Sequence, residues 1–116
     1  MAPEQEDYPM NHEEQIEQDI QAAGLTAARV TPEDIDRAIV AENYHLFPGT
    51  TVTVCALTLA NGFIVIGESA CASPENFDAD IGRKIARENA RQKIWALEGY
   101  ALRNRIMSGT VIGADS

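Results

Sequence analysis

Seven of the nine Lys and Arg residues of this 116-residue chain fall between positions 83 and 105. Arg83, Arg87 and Arg91 recur at i, i+4 and i+8, so on a helix they share one side. Guanidinium forks grip phosphate oxygens in pairs, and three along one cleft could hold a pyrophosphate or a cyclic phosphodiester. The stripe also reads as a solvated helix face, the usual fate of charge runs on helices. Arg103 and Arg105 form a second pair. Two residues apart they diverge, so one can serve its own subunit while the other reaches a neighbour.

Upstream, Asn76-Phe77-Asp78 sits in a turn before the basic stretch. Phe77 is either a core residue, as phenylalanine usually is, or a flat platform on which a purine stacks. Asn89 and Gln92 interrupt the basic helix with amides, which read a base edge or merely face water. Trp95, at helical spacing, suits a core or interface anchor better than a ligand platform.

Catalytic chemistry is hard to assemble from the remaining residues. His12 and His45 lack the spacing of a metal site or of a catalytic pair. CxxC, HExxH, P-loop and GxGxxG patterns are absent. Ser69 lies in Gly67-Glu68-Ser69-Ala70-Cys71, where Cys71 breaks the GxSxG pattern and no activating base is evident. The expectation is a protein that is not an enzyme and needs no cofactor or metal. Cys55 and Cys71 are too few for a disulfide scaffold and read as reduced thiols in a cytoplasmic protein.

The elements that must position these groups follow from composition and patterning. With 45% apolar residues the chain is one globular domain, and no apolar run approaches a membrane span. The first residues lack a basic start followed by an apolar block, so no secretory leader is expected. Residues 1–82 carry two basic and fifteen acidic side chains, a charge of −13, whereas residues 83–105 carry +5. A net charge of −9 argues against holding long nucleic acid but leaves room for a small anion in one basic pocket.

The spacing predicts an α+β domain over 25–108, between an acidic, disordered arm at 1–24 and a flexible tail at 109–116. Thr31-Pro32-Glu33-Asp34 signals a helix start, with Ile35 and Ile39 on its apolar side and an end before His45. Thr51–Ala60 and Phe63–Ile66 flank Asn61-Gly62 and predict an antiparallel β-hairpin. A two-residue loop would pair Leu59 with Ile64 and Leu57 with Ile66, placing these four on one face. Both faces of that hairpin are apolar. One helix layer covers only one of them, so an oligomer is expected. Ser73-Pro74-Glu75 suggests a single turn, and a long C-terminal helix should open at Asp78. Its predicted core stripe is Ile81, Ile85, Ala90, Ile94, Leu97 and Ala101, with a bend near Gly99 before a second segment, Tyr100–Met107.

Several of these stretches together resemble a known family. Asn61-Gly62-Phe63, Gly67-Glu68-Ser69-Ala70-Cys71, Ser73–Asp78, Ile81–Ile85 and Ile94-Trp95-Ala96-Leu97-Glu98-Gly99-Tyr100 are similar to a widespread family of small tailed-phage and prophage proteins. The resemblance runs from Val30 to Ile106. It extends to phage anti-defence sponges that counter the bacterial Thoeris system by sequestering cyclic ADP-ribose isomers made by TIR-domain enzymes, without degrading them. Some of those also capture cyclic oligonucleotides of the CBASS system at separate sites in a larger ring.

The resemblance implies a hairpin-plus-helices fold assembled as a dimer or hexamer, with ligands at subunit boundaries in the host bacterial cytoplasm. It implies an aromatic residue, an amide and C-terminal arginines as ligand contacts. Phe77, Asn89 and Arg103 or Arg105 match those types, and Asn76, Arg87, Arg91 and Gln92 complete the candidate set. The expected partners are a cyclic nucleotide and further copies of the chain, with no long nucleic acid and no membrane. A different reading makes residues 1–42 an acidic protein-interaction or DNA-mimic module, with the arginines as scaffold. A virion structural role has no positive support in the sequence.

Overall fold

The structure is a computed structural model that describes residues 12–25 and 27–109. The expected arm and tail therefore lie partly outside the described residues, over 1–11 and 110–116. Among the described residues, three α-helices and one three-stranded antiparallel sheet follow in the order α1 (His12–Ala23), α2 (Pro32–Ala38), β1 (Ile39–Leu46), β2 (Val52–Leu59), β3 (Ile64–Ala70) and α3 (Ala79–Ser108). The α+β expectation holds.

Local chemistry sets the element boundaries. The Thr31 hydroxyl accepts from the Asp34 amide at 3.2 Å and the Asp34 carboxylate accepts from the Thr31 amide at 2.9 Å, a reciprocal cap on α2. Asp78 caps α3 by accepting from the Ile81 amide, after a single 3₁₀ turn at Pro74–Asn76. At the far end Gly109, at φ +79°, donates to the carbonyls of Arg105 and Ile106. Between these caps α3 runs unbroken through Gly99, one helix rather than two segments.

Four further expectations are corrected. Residues 12–23 of the arm form α1, whose Ile16 and Ile20 lie on one side and whose end is closed by Gly24 at φ +72°. The helix begun at Thr31 stops at Ala38, because the Ala38 carbonyl accepts from the Ala60 amide and the chain continues as β1 beside β2. This third strand escaped the pattern because every residue from Val40 to Leu46 is exposed, which removes the apolar alternation that marks a strand.

The hairpin register is also shifted by one residue. Gly62, at φ +92°, donates to the Leu59 carbonyl, and the Leu59 amide donates to Phe63. The loop is therefore three residues long with a left-handed glycine, not two. Leu57 pairs with Val65 and Thr58 with Ile64. One step of slip turns every β3 side chain over. Val65 is buried, while Ile64 and Ile66 face outward.

The core lies between α3 and the inner face of the sheet: Ile35, Cys55, Leu57, Leu59, Val65, Ala86, Ala90 and Ile94. Each fully buried Leu or Ile contributes about 1.5–3 kcal/mol. The fourth correction concerns α3. Ala90 and Ile94 are buried as expected, but they continue a stripe begun by the small Gly82 and Ala86 at a spacing of four, whereas Ile81 and Ile85 are about half exposed. Small side chains let the helix lie close on β3, where Gly67 meets the backbone of Ala86 and Ala90. The opposite face of the sheet carries Val52, Val54, Ala56, Ile64 and Ile66 with no layer over it among the described residues. The molecule is correspondingly extended, with a radius of gyration of 17.1 Å against about 13 Å for a compact domain of this size.

Candidate functional site

The end of β3, the 3₁₀ turn and the first turns of α3 enclose an open cleft of about 500 Å³. Asn76, Phe77 and Asn89, which sequence reasoning named separately, line it together. Ile81 and Ile85 supply its apolar floor, having turned away from the core. Phe77 is half-buried and lies over the start of α3, with its ring close to Gly82. Asn89 donates its amide to the Glu68 carbonyl at 2.7 Å, leaving its own carbonyl oxygen for other partners. The Ser69 hydroxyl donates to the Gly82 carbonyl at 2.8 Å, tying strand to helix beneath the cleft.

The cleft is suited to a flat ring more than to an anion. Its charged lining residues are Glu68 and Asp78, and no Lys or Arg lines it. The arginines lie elsewhere. Arg83 pairs with Asp80 one turn back on α3. Arg87 is half-buried and donates to Glu42 of β1 at 2.9 Å. That bond holds the Glu42 carboxyl below its ordinary value and the Arg87 guanidinium above. Tyr44, beside them, is pushed upward by burial and by its own bond to Glu42.

Arg91 departs furthest from expectation. It is 6% exposed and gives two donors to Glu13 of α1, at 2.8 and 2.9 Å, and one to Asp36, at 2.6 Å. Trp95 adds its ring N–H to the same Glu13 carboxylate at 2.9 Å. Burial pushes Glu13 up, but these donors win and hold it below the usual carboxylate range. In this structure Arg91 and Arg87 tie elements of the chain together, each guanidinium pairing with carboxylates of the same chain. Gln92 lies outside the cleft, in a groove of about 340 Å³ beneath α1 that it shares with Trp95. Glu13, 78 residues from Arg91 and 82 from Trp95 in sequence, gave no local signal as their shared partner.

Arg103 and Arg105 are exposed near the C-terminal end of α3. At 1.5 Å per residue, Arg103 lies about 21 Å along the helix from Asn89, beyond the reach of its own cleft. Nearer the helix end the apolar side chains of Tyr100, Ile106 and Met107 are exposed as well. Among the described residues no helix is long and apolar enough to cross a membrane.

No curated protein and no solved structure matches the chain. A family model does match, over residues 30–106, which spans α2, the whole sheet, the cleft and α3 up to Ile106 but excludes α1. With the sheet, the cleft and nearly all of the long helix inside the matched stretch, the chain belongs to the phage protein family described by N4 Gp49 and phage Sf6 gene 66.

Proposed function

We propose that this protein is a non-enzymatic phage sponge that binds a cyclic nucleotide immune signal, a cyclic ADP-ribose isomer of the Thoeris system, and withholds it from the host effector. The observation that carries the reading is the meeting of Phe77, Asn76 and Asn89 in one open cleft of about 500 Å³, within the range of small-ligand sites. An aromatic face and two amides are the groups that stack on a purine and read its edge. Stacking alone supplies about 1–3 kcal/mol per base.

The phosphate contacts have to come from a second copy. The cleft of one chain holds Glu68 and Asp78 and no cation, while Arg103 and Arg105 stand about 21 Å away from Asn89 on the same helix. Their guanidinium forks would serve the cleft of a neighbour, and the uncovered sheet face with Ile64 and Ile66 gives such a neighbour apolar surface to bury. This supports a homo-oligomer, dimer or hexamer, in the bacterial cytoplasm. Cyclic di- or trinucleotides of the CBASS type would need separate sites. The acidic-module alternative draws less support, since Glu13 and Glu17 point at Arg91 and Arg29 of their own chain.

The test is capture followed by release. The protein is incubated with a cyclic ADP-ribose isomer made by a TIR-domain enzyme and passed through a filter that retains protein. The reading expects the signal to vanish from the filtrate and to return intact on heating. Signal that stays in the filtrate, or returns as fragments, overturns it.

A further inference from the structure

Two carboxylates of α1 fasten it to the body. Glu17 forms a paired bond with Arg29, at 2.7 and 2.8 Å, and Glu13 receives three donors from Arg91 and Trp95. No residue of α1 is buried. A groove of about 340 Å³ remains beneath the helix, between its Ile16 and Ile20 and the Val30, Pro32 and Trp95 of the body. Helix α1 is clasped by its charges and left unpacked on its apolar side.

We propose that Arg91 and Trp95 form an oxyanion site that recognises the carboxylate of a short acidic amphipathic helix, and that α1 is its built-in, releasable occupant. The donors come from two residues four apart on α3 and converge on one carboxylate, the geometry of a bidentate fork completed by an indole N–H. The site keeps its shape without Glu13, because Asp36 and the Pro32 carbonyl still hold Arg91. Asp36 also sets the ligand charge. Arg91 and Asp36 already sum to zero, so a monoanion takes the cluster to −1 and a dianionic phosphate takes it to −2, with correspondingly more repulsion from Asp36.

The groove fixes the rest of the ligand. In α1 the pattern is Glu13, Ile16, Glu17, Ile20, in which one carboxylate enters the fork, the next meets Arg29 and the isoleucines lie over Trp95 and Val30. A partner helix must repeat that pattern. Arg91 and Trp95 fall inside the family-matched stretch, whereas Glu13, Glu17 and Arg29 fall before it. This inference stands apart from the cleft around Phe77 and does not depend on the sponge reading.

Trp95 is the sole tryptophan and reports on the site directly. In the full chain, Glu13→Gln should raise acrylamide quenching of Trp95 about twofold and bring amides 12–23 to fast hydrogen exchange, with β2 amides as slow as before. A peptide of residues 12–25 added to that variant should restore protection of Trp95. The same peptide with Gln in place of Glu13 should not. A variant whose α1 still exchanges slowly, or a peptide that leaves Trp95 unprotected, overturns the proposal. Should the variant fail to fold, the unaltered chain in 1 M sodium chloride decides: exposure of Trp95 with an intact sheet supports a carboxylate latch, and unchanged quenching refutes it.

Discussion

Gly67 of β3 sits so close beneath Ala90 of α3 that a Cβ built on it would lie 2.2 Å from the Ala90 amide nitrogen and 2.3 Å from the Ala86 carbonyl oxygen. Both neighbours are backbone and cannot swing aside. Gly67→Ala should therefore lift the helix off the sheet and cost about 2–3 kcal/mol or more. Gly99 has nothing within 4 Å of its Cβ position and lies inside the same helix, so Gly99→Ala should stabilise by about 0.5–1 kcal/mol. Urea unfolding of the two variants side by side checks both signs. Equal midpoints would contradict the close approach.

Arg103 and Arg105 are expected to act across a subunit boundary. The double change Arg103→Ala, Arg105→Ala should shift stability by no more than about 0.5 kcal/mol per site, the usual range for surface substitutions. Loss of a charge-assisted phosphate contact costs about 1.5–3 kcal/mol, roughly tenfold or more in affinity. Calorimetric titration with a cyclic ADP-ribose isomer should show that loss while melting and assembly stay in place. Unchanged affinity would remove these arginines from the site.

Phe77 contributes both to packing and to the cleft, and two substitutions separate the roles. Phe77→Leu preserves most of the buried volume and removes the aromatic face. It should keep the melting temperature within a few degrees while capture falls about tenfold, in line with the stacking energy. Phe77→Ala should lower both. Full capture by the leucine variant would assign Phe77 to the core alone.

Much of this arrangement was legible in local signals. Thr31 and Asp78 mark helix starts by their capping hydrogen bonds, and Ser73-Pro74-Glu75 opens its turn through Pro74 without a side-chain cap. Phe77, Asn76 and Asn89 could be named as a stacking residue and two amides, but their meeting depends on where β3 ends against α3. The β1 strand was hidden because its residues are exposed on both faces. The register depended on whether Gly62 closes a two- or three-residue loop, a choice made by backbone dihedrals. The fate of Arg91 was decided by carboxylates 78 and 55 residues away, which no spacing rule reaches.

Assembly has its own test. Ile64 and Ile66 project from the uncovered face of the sheet, and Tyr100 and Met107 from the end of α3. A chain of 12.6 kDa with these surfaces should scatter light as at least a dimer at micromolar concentration. A lone 12.6 kDa species throughout that range would rule the oligomer out.

The docking of α1 should depend on pH in a defined direction. Glu13 and Glu17 both titrate below the ordinary glutamate value of 4.5, Glu17 at about 2 through its bonds to Arg29. A carboxylate lowered in the folded state contributes its full stabilisation above its unfolded value and loses it as pH falls through the folded one. Docking should thus be constant from pH 7 to 5, weaken below 4.5 and be lost near pH 2. Trp95 emission followed against pH measures this, and a transition above pH 6 would contradict it.

The 30 residues of α3 reach about 45 Å, whereas an eight-residue strand spans about 27 Å, so the helix extends well past the sheet that supports it. Mechanically it is a lever resting on a fulcrum at Gly67 and Ala90. Arg105 sits about 22 Å out along the arm, where a tilt of about 5° moves it by about 2 Å, more than a hydrogen bond tolerates. On the proposed reading, angular stiffness at one glycine would thus set how accurately that arginine fork is aimed at a second copy. Substitutions there would blur the aim before they unfold the protein.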